Sequence, residues 1–164
     1  MKRMLLFLFV GIFLVSCGKN DVPVFADMEN FAEDIYRQTG LDMDGVYREQ
    51  LDEKFAFAFG ISSDDFDDRV EAAVCFREIV DSKGRVLYVF ETDDENDALW
   101  LAQKIYTAYE FAPCDAAEKL TVASAGKFVM LFKSDTEEVD NAAQTFRSLA
   151  GGALRFKKDL TNPA

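Results

Sequence analysis

A twelve-residue phrase written twice constrains what this chain can fold into. GRVLYVFETDDE at 84–95 returns 42 positions later as GKFVMLFKSDTE at 126–137. Each copy leads from a glycine and a base through five apolar residues to a charge, a hydroxyl and an acid-rich tail. A strand apolar at every position has both faces covered and belongs inside a sheet, which predicts central strands at Val86–Phe90 and Phe128–Phe132. A second strand candidate precedes each, at Val70–Val80 and Leu120–Ala123. Turn residues separate the members of each pair, at Asp81–Gly84 and Ser124–Gly126. Thr92 with Glu95, and Ser134 with Glu137, spell capping boxes that open helices. Apolar stripes follow at Ala98, Leu101, Ala102, Ile105, Tyr106 and Tyr109, and again at Val139, Ala142, Ala143, Phe146 and Leu149. Pro113 ends the first helix and Gly151-Gly152 the second.

The chain from 70 to 150 thus reads as two consecutive ββα units. The expected fold is α+β: a four-stranded antiparallel sheet in the order first, second, fourth, third strand, with both helices on one face and right-handed connections. An additional N-terminal helix is expected from Asp27, with Met28, Phe31, Ala32, Ile35 and Tyr36 on one side and Gly40 as its stop. The other face is expected to be covered either by this helix with the 55–59 segment or by a second copy of the chain. Phe55, Phe57 and Phe59 alternate as a strand would, yet with Leu51 they also fit a helical stripe. Both readings stand.

The first sixteen residues belong to something else. Lys2 and Arg3 precede an apolar run of eleven, Leu5–Val15, too short to span a bilayer and suited to an export signal. The run ends in Leu14-Val15-Ser16-Cys17, which resembles the lipobox of bacterial lipoprotein signals. That resemblance implies diacylglyceryl transfer to the Cys17 thiol and cleavage before it. The expected organisation is a signal peptide at 1–16, a lipidated cysteine and spacer at 17–26, one domain at 27–152 and a C-terminal tail at 153–164. Two or three acyl chains hold a protein firmly on a membrane without a transmembrane helix. The expected location is the extracytoplasmic face of the cell membrane, and the spacer reaches at most about 30 Å.

From Cys17 onward the formal charge is 16 − 30 = −14. Phosphate backbones and anionic lipid headgroups repel such a surface, so nucleic acid is excluded as a partner and attachment falls to the lipid. The chain has no histidine, which removes Ser–His–Asp and Cys–His nucleophiles and the commonest zinc ligand. No glycine-rich phosphate loop occurs. The acid clusters at 64–68, 93–97 and 135–140 lack calcium-loop spacing. Those at 93–97 and 135–140 read better as first turns of helices, where the macrodipole favours negative charge, and a structural reading is also preferred for 64–68. No catalytic, cofactor or metal residue is assigned. Cys75 and Cys114 form an even pair that export would oxidise to a disulfide, while Cys75 also suits the small buried hydrophobe of a strand. Trp100 sits off its helix's apolar stripe, as a partner anchor or a core edge.

Phe59-Gly60-Ile61-Ser62, Ala73-Val74-Cys75-Phe76-Arg77, Phe111-Ala112-Pro113 and Gly126-Lys127-Phe128-Val129-Met130-Leu131 together resemble an uncharacterised bacterial lipoprotein family, domain of unknown function 4358. The likeness runs from about Phe25 to Leu149. It departs from the family in a shortened methionine-rich stretch and in an alanine where the first long strand often has glutamate. The resemblance implies a lipoprotein of Gram-positive anaerobes with no known activity and no catalytic residue to carry over. The expected function is a non-enzymatic, lipid-anchored envelope module that binds another macromolecule or itself. The alternatives are a carboxylate-dependent envelope enzyme and a small-ligand binder with an aromatic pocket at Phe55, Phe57 and Phe59.

Overall fold

The computed structural model describes residues 24–79 and 83–163. Its elements are α1 (Val24–Gln38), β1 (Val46–Gln50), a 3₁₀ helix (Glu53–Phe59) and α2 (Ser63–Arg69). They continue with β2 (Val70–Glu78), β3 (Val86–Thr92), α3 (Glu95–Ala108), β4 (Lys119–Ala125), β5 (Phe128–Ser134), α4 (Thr136–Leu149) and β6 (Phe156–Thr161). The class is α+β, but the four-stranded sheet expected from the sequence is wrong. One six-stranded sheet runs in the order β1-β2-β3-β5-β4-β6, antiparallel at every pairing. β1 comes from the polar 41–54 stretch and β6 from the segment read as a tail. Both are edge strands, with sequences VYREQ and FKKDLT. Charge on an edge guards against pairing with other chains, and it erases the apolar alternation by which strands are recognised.

At the centre, β3 pairs with β5 so that Tyr88 faces Leu131 and Val89 faces Met130. Their side chains alternate between two cores. Leu87, Val89, Met130 and Phe132 point into one, with α1 and α4. Phe90, Val129 and Leu131 point into the other, with α3, α2 and the 3₁₀ helix. The two helices of the ββα units therefore lie on opposite faces, contrary to the expectation of one face. β6 supplies the reason. With it, β3–α3–β4 steps over β5 and β5–α4–β6 steps over β4, each joining parallel strands and moving the same way across the sheet. Crossovers share one hand. Because β5 runs opposite to β3, the same hand puts its helix on the opposite side.

The caps also differ from the expected boxes. The N-cap of α3 is Asp94, which accepts from the amides of Asn96 and Asp97, and that of α4 is Asp135, which accepts from Glu138. Thr92 and Ser134 are buried instead. The Thr92 hydroxyl donates to the carbonyls of Asp94 and Lys127, and the Ser134 hydroxyl donates to Glu138. A carboxylate one or two positions later outcompetes the hydroxyl because it is a stronger acceptor in the field of the helix start.

α1 starts at the end of the sheet that holds the Gly126–Lys127 turn, where Phe31 stacks on Phe128 with ring centroids 4.8 Å apart. It runs to the other end, where Tyr36 packs on Phe76 and Phe132. We call these the entry end and the far end. The far end carries the loops 39–45 and 109–118 and the start of β3.

Candidate functional site

Cys17 lies outside the described residues, and the lipidation expectation with it; the described chain starts at Val24, at the entry end. Cys75 and Cys114 are both free, and the disulfide is not formed. Cys75 is buried within β2, next to the Tyr88 hydroxyl, and burial pushes its thiol up to about 11. It is the small hydrophobe of the alternative reading. Cys114 is exposed in the far-end loop.

The acid clusters start helices. Asp64 and Asp65 occupy the first turn of α2 behind the cap Ser62, and Asp94 and Asp135 are themselves caps. No group of acids or cysteines that could hold a metal ion occurs among the described residues. Of the carboxyls with displaced titration, Asp94 is lowered by the amides it caps. Burial raises Asp135, Glu138 and Asp159, but their hydrogen-bond partners outweigh it and lower all three. A general acid needs the reverse shift.

The residues that sequence reasoning missed form a charge network at the far end. Lys83 Nζ donates to Asp135 Oδ2 at 2.5 Å and to Glu138 Oε1 at 2.6 Å. Arg85 reaches Glu138 with Nε and Nη2, both at 2.8 Å, and pairs with Glu78 through Nη1. Burial raises the Glu138 carboxyl, yet Arg85, Lys83 and the Ser134 hydroxyl together hold it at about 2. Beside this, Lys133 Nζ donates to Asp115 Oδ2 at 2.6 Å, and Asn162 Nδ2 donates to the carbonyls of Asp115 and Ala117. Lys119 bridges Asp140 on α4 and Asp159 on β6. Each cation is matched by carboxylates from another element. The network staples β2, β3, β5 and the start of α4, and presents no activated nucleophile. A sequence signal existed in retrospect: basic residues flank both central strands at 83, 85, 127 and 133, and acids fall at fixed offsets behind them.

The aromatic pocket expected at Phe55, Phe57 and Phe59 does not form, because the segment is a 3₁₀ helix that points the rings apart. Phe59 is buried edge-on against Tyr88 and Phe90, Phe55 is half-buried, and Phe57 is 81% exposed. Trp100 is half-buried at the rim of the core, with the Arg69 guanidinium 4.6 Å from its ring centroid. Surface hollows are open and modest. One of about 420 Å³ lies at the entry end between Asp27, Phe31, Lys127 and Phe128.

Fold and site together define a two-faced α+β domain closed by ion pairs. No family model matches the chain, and neither a curated protein nor a solved structure does. Among the described residues no helix is long and apolar enough to cross a membrane.

Proposed function

We propose that this is a lipid-anchored envelope protein of the extracytoplasmic face, acting as a binding or assembly module and not as an enzyme. The observation that carries the reading is Leu14-Val15-Ser16-Cys17 at the end of an eleven-residue apolar run. Two features support the non-enzymatic part. The displaced carboxyls move down, and the cations and carboxylates of the far end neutralise one another across elements. The membrane is the first partner, through the lipid; a protein or a second copy is the other.

The test is metabolic labelling with a fatty acid. Wild-type chain incorporates label, and Cys17→Ser loses it, because only the cysteine thiol takes the diacylglyceryl group. Label retained in Cys17→Ser would refute the anchor.

A further inference from the structure

The anchor reading leaves open which way the domain faces, and the place where the chain enters the fold bears on it. The chain enters α1 at Val24, with six residues between it and Cys17. Those six residues and their flanking bonds reach roughly 25 Å when fully extended. The entry end is identified by contacts from several elements. Thr92 and Lys127 share a hydrogen bond, the Asp93 amide donates to the Arg69 carbonyl, and the Arg155 amide donates to the Ser124 carbonyl. Strand β5 then runs about six steps of 3.4 Å, some 20 Å, to the far end.

Charge at the entry end adds a second element. Lys127 pairs with Glu71 and Glu91, Arg155 with Glu95, and Arg69 with Asp97. Asp27, Asp93 and Asp94 have no ion-pair partner among the described residues, and all three are exposed. With Asp65, Asp67 and Asp68 of α2, Arg147 in the last turn of α4 and Lys157 near the start of β6, ten carboxylates stand against five cations at this end, and an anionic lipid surface repels the excess within a Debye length.

We propose that the domain stands end-on to the bilayer: the entry end faces the headgroups and is held off them by its own negative charge, and the far end, with loops 39–45 and 109–118, is outermost. This rests on the lipid anchor at Cys17. The surface left for a macromolecular partner is then the far end and the flanks, not the Gly126–Lys127 turn.

The protein carries its own probe. Cys114 is exposed at the far end, whereas Cys75 is buried with its thiol pushed up to about 11, so a maleimide dye selects Cys114. Full-length lipidated chain labelled at Cys114 is compared with Lys127→Cys in a Cys114→Ser background, by energy transfer to an acceptor lipid in vesicles. Asn96→Cys, exposed in the first turn of α3, repeats the measurement if the turn does not tolerate the change. Transfer is expected to be stronger from position 127 or 96, with a distance shorter by about 20 Å. Replacing neutral lipid with phosphatidylglycerol should lengthen the 127 distance at low salt and not at high salt. Equal transfer, or stronger transfer from Cys114, overturns the orientation. A 127 distance indifferent to anionic lipid overturns the stand-off. Fatty-acid incorporation is read on the same preparation: a chain without lipid refutes the anchor and the orientation with it, whereas a lipidated chain with reversed distances refutes the orientation alone.

Discussion

Glu138 shows how much a single side chain organises at the far end. Its carboxylate receives Lys83, both Arg85 contacts and the Ser134 hydroxyl, while its own amide donates to the cap Asp135. Burial disfavours the charge, and the partners reverse the balance to leave the carboxyl at about 2 against an ordinary 4.5. A carboxyl depressed in the folded state stabilises fully above its unfolded value and loses that contribution as pH falls toward its folded one. Glu138→Gln should therefore cost about 2 kcal/mol near neutral pH, the scale of a charge-assisted network. The gap to wild type should close between about pH 4.5 and 2. Urea unfolding of both proteins across that range would show it, and a gap that stays constant with pH would contradict it. Such a residue is hard to read from sequence. Glu138 sits in a first turn where any acid is welcome, and nothing local reports that Lys83 and Arg85, more than fifty positions earlier, converge on it.

Elements meet with little tolerance where the 3₁₀ helix ends against α3. Gly60 caps that helix at φ +71°, and a Cβ added there would lie 2.3 Å from the Ala108 Cβ. Gly60→Ala should thus combine left-handed strain of about 1 kcal/mol with overpacking of similar or greater size, about 2–4 kcal/mol in all. Gly126, at φ +53° with nothing within 4 Å of the same position, should lose only about 1 kcal/mol as alanine. Adding Ala108→Gly to Gly60→Ala should recover the steric part. Equal midpoints for the two single variants in chemical unfolding would argue against this contact. Legibility differs between elements for a physical reason. β2 to β5 and α1, α3 and α4 bury a stripe or both faces, so their apolar spacing is visible in the sequence. The 55–59 segment showed two periods at once because a 3₁₀ turn buries Ala56 and Phe59, three apart, and leaves Phe57 in solvent. β1 and β6 bury little and pair through the backbone, which spacing does not record.

For the whole molecule, the decisive misreading was the sheet's extent. Treating 153–164 as a tail left α4 without a return strand, so nothing dictated its face. Adding β6 made β5–α4–β6 a crossover and sent α4 to the side opposite α3. The same strand covers β4, whose residues Leu120–Ala125 are all buried and of which Leu120–Ser124 pair with Phe156–Leu160 on their outer side. A chain ending at Gly152 would expose β4 as an apolar edge and would lose the Asn162 bonds that hold the 109–118 loop. It should aggregate or melt without a cooperative transition, and cooperative unfolding at the wild-type midpoint would show β6 to be dispensable. The order of elements also sets a timetable. Under the proposed export the chain crosses the membrane from its N-terminus, so all that β6 pairs with or covers emerges before β6 does. β4 must therefore wait as an unpaired apolar strand until Thr161 has crossed, and only then can the outer side of the sheet close.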